Sequence, residues 1–193
     1  MNRNRALNEP EVRRVAILGH SYVGRLTFGQ DKRYTEGAVP YRVQRFWQSG
    51  ATIESLQNTG EWTSFCEFRP HLVFLYIGGN DINAGSSVRV ITARLEQIVE
   101  RVEAIMGISR SCQLFTLEPR TTPRFVSPEG YARIRNAVNR FMRCRRFFLR
   151  NRLVHFNIAS ADLVDGVHIS RTKSQQLATF ITSRINEYAT RNW

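Results

Sequence analysis

Four short segments of this chain carry residue types that could hydrolyse an ester. In chain order they are Gly19-His20-Ser21, Gly50, Gly78-Gly79-Asn80-Asp81 and Asp165-Gly166-Val167-His168. Ser21 offers a hydroxyl nucleophile, which is inert until a neighbouring base takes its proton. The D-x-x-H spacing of the last segment lets one loop supply both a base, His168, and a carboxylate, Asp165, that orients its ring. We therefore expect a Ser-His-Asp nucleophile system.

Donors for the oxyanion of an acyl transfer occur in the same segments. The backbone N–H groups of Ser21 and Gly50 and the side-chain amide of Asn80 could donate to a developing negative charge. Taken singly, these residues have ordinary explanations, because serine after a strand often caps a helix and asparagine favours turns. The functional interpretation depends on all four segments meeting at one place.

Alternating strands and helices must bring these segments together. Val15–Leu18 and His71–Ile77 are apolar runs typical of buried parallel strands, and each is followed by glycine. Tyr41–Trp47 alternates apolar and polar residues, which predicts a half-buried, peripheral strand. Two further strands are predicted at Cys112–Leu117 and Leu153–Ile158.

Helices are predicted in the intervals between these strands. Apolar residues recur at helical spacing in 87–106, 130–150 and 177–188, and shorter helices are predicted over 21–28 and 51–56. This alternation predicts an α/β fold, with a five-stranded parallel sheet that has helices on both faces. In such a sheet ligands bind outside the carboxyl ends of the strands, which is where three of the four segments lie.

The four segments, in this order, resemble the SGNH hydrolases, also called GDSL-type esterases and lipases. The resemblance covers most of the chain and implies a flavodoxin-like three-layer α/β/α sandwich. It implies that Ser21 is the nucleophile, His168 the base and Asp165 its orienter. It also implies that Ser21, Gly50 and Asn80 form the oxyanion hole. Within the family, 165–170 looks most like the acetylhydrolases that cleave short acyl chains from platelet-activating factor.

Position 20 departs from that family pattern, because His20 stands where the family usually has aspartate. The aspartate braces the nucleophile loop and is not a member of the triad, so the change bears on loop geometry more than on chemistry. His20 could compete with His168 for Ser21. We expect His168 to be the base, since adjacent side chains of an extended segment point in opposite directions.

Charge suggests an alternative function. The net charge is +12, and all but Lys32 and Lys173 of the 28 basic residues are arginines, which bind phosphate in a bidentate manner. A solvated helix face is the simpler explanation of such a charge run. The alternative is a non-catalytic or weakly active SGNH-like module, similar to domains of some retrotransposon proteins, that contacts RNA or another polyanion. Its contact residues would be Arg133, Arg135, Arg140, Arg143 and Arg146.

Length and the remaining composition bound the class of protein. The 193 residues suit one domain over 12–193, after a leader of residues 1–11. The three cysteines form no C-x-x-C pair, so neither a disulfide framework nor a zinc site is indicated. No apolar run reaches the roughly 20 residues of a membrane span. We predict an intracellular protein, cytoplasmic or nuclear, without a signal peptide or cofactor, acting on a small acyl ester; its oligomeric state stays open.

Overall fold

A mainly parallel sheet forms the middle layer of the protein. The computed structural model describes residues 12–26, 33–34, 40–150 and 153–193, and the predicted leader, 1–11, lies outside these ranges. The sheet order is β2-β3-β1-β4-β5, in which β2 is antiparallel and the other four strands are parallel. The strands are β1 (Arg13–Gly19), β2 (Arg33–Tyr34), β3 (Tyr41–Trp47), β4 (Leu72–Tyr76) and β5 (Cys112–Leu114).

Helices cover both faces of this sheet. They are α1 (Ser21–Arg25), α2 (Ile53–Leu56), α3 (Gly60–Phe68), α4 (Gly79–Asn83), α5 (Val88–Met106), α6 (Pro128–Cys144), α7 (Arg146–Arg150) and α8 (Arg171–Asn192), with a 3₁₀ turn at Ser160–Asp162. Because successive strand residues face opposite ways, β1 divides its side chains between two cores. Ala16 and Leu18 pack with α2, α3, α5 and α6, whereas Val15 and Ile17 pack with α1 and α8. The predicted three-layer α/β/α sandwich is confirmed.

The prediction of a five-stranded parallel sheet is wrong in one element. Among the described residues only four strands are parallel, and Leu153–Ile158 contributes a single bridge, between Val154 and Phe115. The partner strand β5 is short and is soon followed by Pro119, which has no N–H to donate to a ladder. The segment therefore has almost no strand edge to pair with.

Several helices differ from the sequence prediction, and α4, like α3, is among those that were not predicted. The expected helix at 130–150 is two helices, because the backbone of Arg145 is extended between α6 and α7. Helix α1 ends at Arg25, not at residue 28, and its N-cap is His20, not Ser21.

Candidate active site

Ser21 is placed by the close approach of two strands. The backbone N–H of His20 donates to the carbonyl of Tyr76 at the end of β4, at 3.2 Å. A side chain at Gly19 would clash with that same carbonyl, so only glycine fits there. Helix α1 then begins at Ser21, at the carboxyl edge of the sheet. The Ser21 side chain is half-buried at this edge.

A chain of hydrogen bonds joins the serine to the D-x-x-H segment. The Oγ atom of Ser21 lies 3.1 Å from Nε2 of His168, and Nδ1 of the same ring lies 2.7 Å from Oδ2 of Asp165. The other carboxylate oxygen of Asp165 accepts the N–H groups of His168, at 2.6 Å, and Val167, at 3.0 Å. Partial desolvation would raise the pKa of Asp165, but these hydrogen bonds outweigh it and hold the pKa well below its usual range.

The loop that carries His168 is attached to its neighbours by several hydrogen bonds. The carbonyl of Gly166 accepts the N–H of Thr121 at 2.7 Å, and the Thr122 hydroxyl donates to the carbonyl of Asp165 at 2.7 Å. The Tyr22 hydroxyl donates to the carbonyl of Val167. Gly166 has φ +74°, a conformation that favours glycine. The position of the His168 ring thus depends on contacts from two other parts of the chain.

Two of the expected oxyanion donors follow β3 and β4, the two parallel strands on either side of β1. Gly50 lies after β3 with φ +72°, and Asn80 lies in the first turn of α4, after β4. The side-chain amide of Asn80 donates from Nδ2 to the carbonyl of Ala51, at 2.9 Å, which ties the two segments together. Its Oδ1 accepts from Nη2 of Arg120, also at 2.9 Å.

Asp81, next to Asn80, has a structural role. It is fully buried, and its Oδ2 accepts the N–H of Ile53 at the start of α2, at 3.0 Å. Burial raises the pKa of its carboxyl to about 6, although the bond from Ile53 and the nearby Arg94 oppose the rise. Asp81 therefore holds the Gly50 loop and its following helix against α4.

Comparison with known proteins identifies the family. Residues 18–182 match the model of the GDSL-like lipase/acylhydrolase family. The chain belongs to this family. As a GDSL-like hydrolase it is a carboxylic ester hydrolase. Among curated proteins none matches the sequence significantly.

Solved structures share the fold of this GDSL-like hydrolase at low sequence identity. The psychrotrophic esterase EstA from Pseudoalteromonas sp., inhibited by monoethylphosphonate, is 15% identical with a TM-score of 0.59, over 93% of this chain and 100% of that one. The acetyl xylan esterase AlAXEase is 13% identical, TM-score 0.61, covering 89% and 99%. A Streptococcus pneumonia protein described as a platelet activating factor is 17% identical, TM-score 0.60, covering 94% and 86%.

His20, the departure from the family pattern, is a buried residue that caps a helix. It is 3% exposed, and its Nδ1 accepts the N–H of Tyr22 at 3.4 Å. Its ring packs edge-on against the rings of Tyr22 and Tyr76. Burial lowers the pKa of His20 to about 3, with further lowering from Arg120 and His168, so the imidazole is neutral at physiological pH.

Two buried residues with ionisable side chains were not predicted from the sequence to lie near the candidate site. Glu118 and Arg120 follow β5, and with His20 they line a small cavity of about 10 Å³. One sequence signal could have identified them. They are ionisable residues directly after a predicted strand, at the edge of the sheet that also carries Ser21 and Asn80.

Four of the five arginines proposed as polyanion contacts line one groove of about 1240 Å³. They are Arg133, Arg135, Arg140 and Arg143; Arg146 is not among the lining residues. The rings of Phe141, His155 and Phe156 line the same groove. Positive charge and aromatic surface therefore occur together there.

Membrane spans and metal sites are both absent from the described ranges. No helix there has the length and apolarity needed to cross a membrane. The same residues contain no group of three or more His, Cys, Asp or Glu side chains arranged to hold a metal ion.

Proposed function

We propose that this GDSL-like hydrolase is a serine esterase that works through an acyl-enzyme. Ser21 is the nucleophile, His168 the general base and Asp165 the residue that orients His168. The observation that supports this assignment best is the chain of hydrogen bonds from Ser21 Oγ through His168 to Asp165, at 3.1 and 2.7 Å. Both distances lie in the range expected of a nucleophile with its base.

The reaction begins when Ser21 Oγ attacks the ester carbonyl and His168 Nε2 takes its proton. The ionised Asp165 accepts the Nδ1 hydrogen and stabilises the imidazolium that forms. The backbone N–H groups of Ser21 and Gly50 and the Nδ2 hydrogen of Asn80 that is not bound to Ala51 donate to the oxyanion. Collapse of the tetrahedral intermediate breaks the ester C–O bond, and His168 gives its proton to the leaving alcohol.

Deacylation repeats these steps with water. His168 takes a proton from water as the water attacks the acyl carbonyl. Collapse of the second tetrahedral intermediate breaks the bond between the acyl carbon and Ser21 Oγ, His168 returns the proton to Oγ, and the acid is released. The residues 165–170 resemble those of short-chain acetylhydrolases, and this supports acetyl as the acyl group. The structural similarity to an acetyl xylan esterase is consistent with a short acyl chain but, at 13% identity, speaks only to the fold.

Covalent labelling tests the proposed nucleophile directly. A fluorophosphonate should label the wild-type protein at Ser21, and Ser21→Ala should abolish labelling and cut turnover of p-nitrophenyl acetate by about 10⁴-fold. Ser64→Ala, an exposed serine on α3, is the matched control and should behave as wild type. Unchanged turnover in folded Ser21→Ala would exclude the mechanism.

The acyl group is tested separately with p-nitrophenyl esters of increasing chain length. Acetyl specificity predicts that kcat/KM is highest for the acetate and falls as the chain lengthens. A maximum at octanoate or longer would reject acetyl while leaving the serine mechanism intact.

A second function, binding of single-stranded RNA, is favoured by the arginine groove. Its arginines and aromatic rings are the groups that bind a phosphate backbone and stacked bases. Among the described residues that line it, the single acidic one is Glu118, whose pKa is raised to about 8 mainly by burial. At neutral pH this lining is therefore almost free of negative charge.

Binding to a fluorescent 15-nucleotide RNA, measured by anisotropy, tests this second function. Arg133→Gln/Arg140→Gln should weaken binding at least 10-fold and flatten its salt dependence, because each lost phosphate contact removes counterion release. The control Arg89→Gln/Arg110→Gln removes the same charge from elsewhere on the surface. Equal loss in both variants would show non-specific attraction only, and unfolding curves check that both fold.

A further inference from the structure

We infer that Arg120 is a positioning residue that orients and polarises the amide of Asn80 for the oxyanion. The inference rests on the proposed function and adds a residue to it. Arg120 lies in the segment after β5, 40 positions from Asn80, and its Nη2 donates to Asn80 Oδ1 at 2.9 Å. The guanidinium also lies over the ring of Tyr131, 5.5 Å from its centroid.

Two contacts together select one orientation of the amide. Nδ2 of Asn80 donates to the Ala51 carbonyl, and Oδ1 accepts from Arg120. Rotating the amide by 180° would set oxygen against the carbonyl of Ala51 and hydrogens against the guanidinium, and both contacts would be repulsive. Because Ala51 uses one of the two amide hydrogens, the fixed amide has one hydrogen left for the oxyanion.

The backbone at Gly79 makes room for this arrangement. A Cβ atom at Gly79 would lie 2.9 Å from Arg120 Nη2, closer than real Cβ contacts, and 3.0 Å from the Tyr131 hydroxyl, which is unusually tight. With glycine there, the guanidinium can lie directly against the first turn of α4 and reach Asn80. Glycine at position 79 therefore permits the close approach of the Arg120 guanidinium to Asn80.

The charge of Arg120 has little compensation before the reaction. Arg120 is 7% exposed, and among the residues described no salt bridge joins it to a carboxylate. Its neighbours in the small cavity are a neutral His20 and Glu118, whose raised pKa keeps it mostly protonated at pH 7. A buried charge without an opposite charge beside it is costly.

The oxyanion supplies the missing negative charge only as the transition state forms. An interaction that strengthens between the ground state and the transition state raises kcat without tightening substrate binding. Arg120 transmits its charge through the Asn80 amide, since a cation bound to Oδ1 polarises the amide and makes its N–H a better donor. Removing Arg120 should thus lower kcat and leave KM nearly constant.

Kinetics of Arg120→Gln, Arg120→Lys, Asn80→Ala and the double variant Arg120→Gln/Asn80→Ala test the inference with p-nitrophenyl acetate. Arg120→Gln should lower kcat by about 10- to 100-fold, within the 10²- to 10³-fold expected for loss of the donor itself in Asn80→Ala. KM should change less than about three-fold, since binding of the substrate in its ground state is not altered. Arg120→Lys, which keeps the charge, should recover part of the loss.

The double variant separates positioning from a merely structural role. If Arg120 acts through Asn80, Arg120→Gln/Asn80→Ala should be no slower than Asn80→Ala alone. Multiplied losses would show that Arg120 acts independently of Asn80 and would overturn the inference, as would full activity of Arg120→Gln. If Arg120→Gln does not fold, the same comparison is made with Arg120→Lys, Asn80→Ala and the double variant Arg120→Lys/Asn80→Ala.

The controls distinguish failure of this inference from failure of the proposed function. Arg89→Gln, on an exposed face of α5, should leave kcat unchanged. If the wild type is inert and Ser21 is not labelled by the fluorophosphonate, the proposed function fails. If the wild type is active and Ser21→Ala is inactive while Arg120→Gln equals the wild type, only the role of Arg120 fails.

Discussion

Asp165 shows how a partly exposed carboxylate can be held in one place and one ionisation state. Its side chain is 48% exposed, yet one oxygen accepts two backbone N–H groups and the other accepts from the His168 ring. These bonds keep its pKa below the usual range, although partial desolvation acts in the opposite direction. At any pH where the esterase is assayed, Asp165 is an anion that faces Nδ1 of His168.

Replacing Asp165 by Asn should cut kcat by about 10⁴-fold, the effect known for this exchange in a Ser-His-Asp triad. The amide oxygen can keep the two backbone bonds. The amide nitrogen then donates to His168 Nδ1, which forces the hydrogen onto Nε2, where the ring can no longer accept the Ser21 proton. Steady-state kinetics measure the loss.

Asp162→Asn is the matched control for that exchange. Asp162 is in the same part of the chain and pairs with Lys173 at 3.1 Å, away from the hydrogen bonds of His168. Its kcat should stay within about two-fold of the wild type, because a partly exposed ion pair contributes little. Equal losses in the two variants would contradict a specific role of Asp165.

At the scale of elements, contacts between two loops position His168. The loop after β5 contributes Thr121 and Thr122, which bind the carbonyls of Gly166 and Asp165. A Cβ at Gly166 would overlap the hydroxyls of both threonines. The loop with His168 is thereby fixed against the loop with Arg120, which also binds Asn80, so that His168 and Asn80 are held by the same loop.

Gly166→Ala should lower kcat at least 10-fold by pushing these two loops apart. A displacement of about 1 Å in a catalytic group can cost 10²-fold in rate. Gly107→Ala supplies the control, because Gly107 has a similar φ of +65° but an added Cβ there would meet no atom within 4 Å. Both variants carry backbone strain and should unfold at lower temperature than wild type, but only Gly166→Ala should lose activity per folded molecule.

At the scale of the whole molecule, buried acids set how stability depends on pH. Burial raises the pKa of Glu118 from 4.5 to about 8, partly offset by Tyr76 and by the charges of Arg135 and Lys173. The folded state therefore binds a proton that the unfolded state has released. Stability contributed in this way is present below pH 4.5 and is lost as the pH rises towards about 8.

Glu118→Gln should remove this loss. The wild type should unfold at a lower temperature at pH 8.5 than at pH 6, and the variant should show a clearly smaller difference between the two, measured by circular dichroism. Asp81, with a pKa raised to about 6, loses its contribution mainly below this window. His20, with a pKa lowered from 6.5 to about 3, adds stability as the pH rises through about 6.5, but it does so equally in the wild type and in the variant. Glu100→Gln, an exposed acid on α5, should keep the wild-type difference; if Glu118→Gln does so as well, Glu118 is not the responsible group.

The sequence by itself determined the fold class, the family and the four segments that carry the candidate site residues. Buried strands such as β1 and β4 are recognisable because apolar residues on both faces, ended by glycine, suit little else. The α/β/α sandwich and the family resemblance are confirmed by the structure and the family match. The roles of Ser21, His168, Asp165, Gly50 and Asn80 remain predictions, and experiments on those residues test them.

Only the tertiary structure decided which polar groups meet. Nothing local pairs Arg120 with Asn80, 40 residues away, or buries Glu118 beside His20. Likewise, Leu153–Ile158 has strand-like composition but forms one bridge, because β5 offers it so short an edge. The periodicity of apolar residues shows which face of a segment prefers to be buried, and this preference is local. A hydrogen bond between distant residues depends on how the whole chain packs, which no single segment determines.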